Sequence, residues 1–153
     1  QSFAILEYLE ERYPERPLLP KNPELRAQVR SFAQVLVADM NPLIIMRVFR
    51  YMRDDMQLSL EQRREWYERW AHTGFRAAES TLERDQGDAP FCYGQQPTLA
   101  DVCLVPQVYS ALKAGLDLAP YPRVRGIYRT CSALAAFQAA GPKAQGDKLA
   151  QSL

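Results

Sequence analysis

The chain has 153 residues, 47% apolar and 24% charged, with a formal net charge of +1. That size and balance suit one domain with a real core, and a near-neutral chain in which acids interrupt every basic run lacks the electrostatic footprint of a nucleic-acid binder. No run of about 18 apolar residues occurs, so no membrane span is expected.

Helical periodicity runs through the chain and no convincing period-2 alternation is present, so the fold is read as all-α. The first helix is predicted over about 3–12, with Ser2 as its N-cap and Ile5, Leu6, Leu9 and Tyr13 as its apolar stripe. Pro14, Pro17 and Pro20 then stiffen a linker. Asn22 caps a second helix with Pro23 at its first position, and Leu25, Val29, Phe32, Leu36 and Met40 form its buried stripe. Pro42 is expected to kink it before it resumes through "LIIMRVFRYMRDD". Ser59 and Gln62 spell a capping box for a third helix, running to about Arg84 with Trp66, Trp70, Ala77 and Ala78 on one face. A loop, "DQGDAPFCYG", follows. Thr98 and Asp101 form a second capping box, and the helix after them is apolar nearly all round, which marks it as central, with a bend expected at Pro106. Pro122 opens a fifth helix; a short sixth ends at Gly141 and Pro142, and the tail from Lys143 is polar.

Few side chains declare chemistry. Cys92, Cys103 and Cys131 are odd in number and widely spaced, which suits a reducing cytoplasm better than a disulfide framework or a zinc site. The single histidine, His72, excludes a multi-histidine metal centre and reads as a surface or half-buried imidazole. Cys103 reads as core, and Cys92, in the loop, as the thiol to test for reactivity. No basic flank precedes Glu7, Glu10 and Glu11, so a secretory signal is not expected.

"QSFAILEYLEERYP", "FCYGQQPTLADVCLVPQVYSA" and "LDLAPYP" together resemble the zeta class of cytosolic glutathione transferases, over nearly the whole chain from Gln1 to about Pro142. The resemblance implies a helical bundle of the transferase C-terminal type. It places residues 1–13 as the last helix of a thioredoxin-like domain otherwise absent from the chain, 14–21 as the linker, 22–142 as the helical domain and 143–153 as a tail. It implies glutathione as cofactor, with Gln1, Ser2 and Asn41 touching it. A serine hydroxyl beside free N–H groups at a helix N-terminus suits a carboxylate, although Ser2 alone reads as a plain cap. Ile45 stands where relatives often carry asparagine.

Arg47 and Lys113 fall where the family meets a dianionic substrate, a need that cations answer chemically; Arg47 also reads as a solvated helix residue. Gln107 and Tyr109 line the cleft or pack. Thr98 and Asp101 read as a folding element. The implied activity is glutathione-dependent cis–trans isomerisation of maleyl keto acids by a cytoplasmic homodimer. The thiolate-activating residues belong to the thioredoxin-like domain, so no catalytic residue is expected in this chain and the chain alone is expected to be inactive. The other reading is a non-catalytic helical interaction module of the same fold.

Overall fold

A computed structural model describes residues 1–142 together with Ala144 and Gln145; the rest of the predicted tail lies outside the described residues. Among the described residues the architecture is all-α, and the one β pairing is an isolated bridge between Phe91 and Gly94. The elements are α1 (Ser2–Arg12), α2 (Pro23–Gln34), a π-helical turn (Val35–Met40), α3 (Asn41–Ile44), α4 (Met46–Asp54), α5 (Leu60–Asp85), α6 (Leu99–Lys113), α7 (Pro122–Ser132) and α8 (Ala135–Ala140).

Helix α1 begins one residue earlier than expected. Gln1 occupies the cap position, its carbonyl accepting the Ile5 N–H at 3.2 Å, and no side chain caps the helix. Ser2 is therefore the first helical residue and not the N-cap, because the cap is set by the first carbonyl to accept an intrahelical bond. The predicted stripe is largely outside: Ile5 is 58% exposed and Leu9 41%, and Tyr8 and Tyr13 are exposed as well. Only Phe3 and Leu6 pack on the core. Polar ties hold α1 in place. Glu7 takes a bidentate pair of bonds from Arg30 on α2, at 2.9 and 3.1 Å. Glu10 accepts the N–H groups of Leu18 and Leu19, at 2.7 and 3.1 Å. The linker then passes to the centre of the fold, where Leu18 O accepts the Leu99 N–H at 2.9 Å.

The cap predicted at Asn22 forms, its Oδ1 accepting the Leu25 N–H at 2.9 Å, and Val29, Phe32, Leu36 and Met40 are buried as the stripe requires. The expected kink takes a definite form. Pro42 has no N–H to give and its ring conflicts with the carbonyl four residues back, at Ala38. The chain widens into the π turn immediately before it. One turn later Ile45 is extended, with φ −84° and ψ 159°, and the axis breaks again before α4. Pro23–Asp54 is long and apolar enough, by length and composition, to cross a membrane, although charged residues interrupt it. In the fold that stretch is interrupted at Ile45, and its apolar stripe is spent in the core.

Helix α6 lies in the middle, against α2 and α7, and runs unbroken through Pro106. Helix α5 packs on the π turn and on α7. Its buried residues are Ala71, Gly74, Phe75, Ala78, Glu79 and Leu82, whereas Ala77, expected on that face, is exposed. Gly74 is where α5 meets the π turn: a Cβ there would lie 2.7 Å from Met40 Cβ and closer still to Met40 Sδ.

Gly74→Ala should therefore lower stability by about 1–2 kcal/mol, overpacking outweighing the gain in helix propensity. Urea denaturation reads this as a lower midpoint, and an unchanged or higher midpoint would show that Met40 yields at no cost.

Candidate functional site

Gln1 and Ser2 stand at the start of α1. Gln1 and Ser2 are exposed, the first intrahelical bond begins at Ile5, and the first turn carries no acid. The amides of Ser2, Phe3 and Ala4 therefore point outward at the positive end of the helix dipole, with the Ser2 hydroxyl beside them, an arrangement that suits a carboxylate.

Asn41 opens α3, just past the π turn. Its Oδ1 accepts from Gln107 Nε2 of α6 at 3.2 Å, across 66 positions of sequence. That bond fixes the amide's orientation and leaves Nδ2 to donate elsewhere. Arg47 is exposed on the first turn of α4 and makes no hydrogen bond or ion pair among the described residues. Lys113 is the last residue of α6, its ammonium 6.0 Å from the centre of the Tyr109 ring, a cation–π contact. The structure thus joins Asn41 to Gln107, which the sequence offered only as a cleft or packing residue. No hydrogen bond ties Gln1, Ser2 or Arg47 to that pair.

Thr98 and Asp101 form the predicted capping box, and it reaches further than a cap. Asp101 is fully buried. Its Oδ2 accepts the Thr98 N–H at 2.8 Å and the Thr98 hydroxyl at 2.9 Å. Its Oδ1 accepts the Cys92 N–H at 2.9 Å and faces Cys131 Sγ at 3.8 Å. Cys92, singled out as the thiol to test for reactivity, is therefore a poor candidate. It is wholly buried, and desolvation, together with the Asp101 charge, pushes its pKa well above the ordinary value. The loop folds inward because Asp101 needs its amide. Burial likewise raises Cys103 to about 11 and Cys131 to about 12. His72 is half-buried as expected, its Nδ1 2.8 Å from the Tyr121 hydroxyl. No cluster of metal-ligating side chains occurs among the described residues.

The family profile described as "Glutathione S-transferase, C-terminal domain" matches residues 64–130. The maleylpyruvate isomerase of a Ralstonia species is 40% identical over 147 residues, covering 96% of this chain and 69% of that protein. The chain belongs to the zeta-class glutathione S-transferases. A holo structure of maleylpyruvate isomerase, a bacterial zeta-class transferase, superposes with a TM-score of 0.92 at 39% identity, over 96% of this chain and 69% of that one. The maleylacetoacetate isomerase of Anaeromyxobacter dehalogenans, solved with dicarboxyethyl glutathione and citrate in its active site, gives a TM-score of 0.89 at 43% identity, over 96% and 64%. The chain thus spans about two thirds of the length of these relatives. The zeta-class resemblance and the helical-bundle fold read from the sequence both hold.

Two predictions follow from the Asp101 cluster. Asp101→Ala leaves the Cys92 and Thr98 amides unpaired in the interior and should cost about 3 kcal/mol or more. A purified variant whose urea midpoint equals the parent's would contradict this. The thiols set a pH dependence. Unfolded, they ionise near 9.0; folded, they hold their protons to about 11 and 12 for Cys103 and Cys131. Their contribution is complete below pH 9 and declines above it, because there the folded state binds more protons than the unfolded one. Urea midpoints should fall between pH 8 and pH 10, and by less in a Cys103→Ala, Cys131→Ala double variant.

Proposed function

We propose that the chain is the helical part of a glutathione-dependent cis–trans isomerase acting on maleyl keto acids, maleylacetoacetate or maleylpyruvate. In this reading residues 1–13 are the last helix of a thioredoxin-like domain that carries the thiolate-activating groups, 14–21 are the linker and 22–142 the helical domain. A cytoplasmic homodimer is the assembly the reading implies. The observation that carries it is the ligand of the Anaeromyxobacter relative. Dicarboxyethyl glutathione is a thioether of a four-carbon dicarboxylate, the formal product of adding a thiol across a maleate-type double bond. When bound, glutathione supplies the sulfur nucleophile, whose reversible addition makes the cis double bond free to rotate.

The work of this chain is binding and charge. Ser2, Gln1 and the first-turn amides of α1 receive the γ-glutamyl carboxylate. Asn41, oriented by Gln107, offers its Nδ2 to the same ligand. Arg47 and Lys113 meet the two substrate carboxylates. The guanidinium grips in a bidentate fork, while the ammonium acts as a point charge, so Arg47 should hold the geometry and Lys113 mainly the charge balance.

The test is an isomerase assay on the protein carrying its thioredoxin-like domain. Glutathione-dependent conversion of maleylacetoacetate is expected. Arg47→Ala should raise KM by about 10–100-fold, the loss of one charge-assisted contact. Absence of glutathione-dependent turnover would instead favour the interaction-module reading.

A further inference from the structure

A groove on the protein surface is lined by three cations. It follows the start of α2, between Lys21, Pro23, Arg26, Ala27 and Arg30, with a volume of about 620 Å³. That volume lies within the range of small-molecule sites, about 300–1,000 Å³. None of these residues is among those offered to glutathione or to the keto acid. Arg26 and Arg30 are four apart on α2 and share a face, as do Pro23 and Ala27. Lys21 closes the end of the groove from the linker side.

Two of the cations are held in place by the fold, and neither is exhausted. Arg26 Nη1 donates to Pro20 O at 3.3 Å. Arg30 gives Nε and Nη2 to Glu7, at 2.9 and 3.1 Å. A guanidinium carries five N–H donors, so Arg26 keeps Nε and Nη2 and Arg30 keeps Nη1. Lys21 is exposed and makes no hydrogen bond or ion pair among the described residues. The acids whose charge bears on Arg30 are Glu7 and Glu10. Both are already bonded, Glu10 to the Leu18 and Leu19 amides. Glu24 falls two positions before Arg26, on another side of the helix. Three cations against two committed acids leave the groove positive.

We propose that the Lys21–Arg26–Arg30 groove binds a phosphate monoester. A monocarboxylate brings one charge and two oxygens, which a single guanidinium satisfies. A phosphate monoester brings close to two charges and three strong acceptor oxygens, which matches two fixed guanidiniums and a mobile ammonium. Pro23 and Ala27 present no polar side-chain atom, so they suit the carbon group that the phosphate carries. The bound ester joins the end of the linker, at Lys21, to the first two turns of α2.

Titration of the whole chain with phenyl phosphate, followed in ¹H–¹⁵N spectra that include the arginine side chains, tests this without any isomerase assay. Saturable shifts are expected at Lys21, Arg26 and Ala27, with a Kd of about 1 mM or below. Benzoate should bind about 10-fold more weakly. Lys21→Ala removes a side chain that bonds nothing in the fold, so the variant should stay folded and lose about 5-fold in affinity. Arg129→Ala, an exposed cation on α7, should lose nothing. Absence of saturation by about 10 mM overturns the proposal. So does benzoate binding as tightly as phenyl phosphate, or an equal loss in Lys21→Ala and Arg129→Ala, which would report net charge alone.

Discussion

A single buried carboxylate organises the centre of this fold. Removing a charge from water is costly, and a buried carboxylate survives only where donors replace its hydration. Asp101 does this without a cation, using the Thr98 amide and hydroxyl and the Cys92 amide, with the Cys131 thiol close by. Those donors come from the start of α6, the preceding loop and α7. One side chain thereby joins the loop and the helix start that flank it to Cys131 on α7, 30 positions away, and all of them meet at the most buried helix. Glu79 repeats the device one layer out: from α5 it accepts the Arg123 and Val124 N–H groups, at 2.8 and 3.0 Å, and so caps α7 from a distance. Both carboxylates replace solvent with orphan amides, which are free at every helix start.

The second constraint is Pro42. Its missing N–H and its ring force the π turn, and the π turn swings the chain so that Met40 lies against Gly74 and Asn41 reaches Gln107. The extended residue at Ile45 then places Arg47 on a separate helix from Asn41. An ideal helix through this region would have set those two residues on one rigid rod. The interruptions allow an amide bound to the core and a solvated guanidinium to sit on independently oriented pieces.

What was legible in the sequence was mostly local. The caps at Asn22, Ser59 with Gln62, and Thr98 with Asp101 form as their spacing says, because capping is decided within four residues. Pro122 opens α7 for the same reason. Apart from a one-residue shift at the first cap, the misreadings concern faces and contacts that reach beyond one turn. Ser2 lost the cap to Gln1 once the neighbouring carbonyl took the first bond. Ala77 was assigned to the wrong side of a 26-residue helix, over which a face read from a few residues drifts. Cys92 was singled out for testing because it lies in a loop, and only the fold reveals that Asp101 draws its amide inward. Glu79 as a distal cap left no signal, since its partners lie 44 and 45 positions away. For the candidate site, Arg47 and Lys113 were named through family resemblance; the Asn41–Gln107 bond needed coordinates.

The geometry of α1 gives the linker a role beyond connection. A half-buried, solvent-screened ion pair such as Glu7–Arg30 contributes modest stability, although Arg30 does hold the Glu7 pKa below its usual value through the bidentate bond. Of its apolar side chains, Phe3 and Leu6 pack on this core. Glu10 adds a tie of its own, holding the successive amides of Leu18 and Leu19 in a proline-stiffened segment, and the Leu18 carbonyl is in turn bonded to the first residue of α6. The direction of α1, and with it the direction in which Gln1 and Ser2 present their donors, is therefore set by that packing together with the strap between Glu10 and Leu99. Asp101 fixes the start of α6, so the same carboxylate that anchors the core is also tied, through Leu99, Leu18 and Glu10, to the first helix.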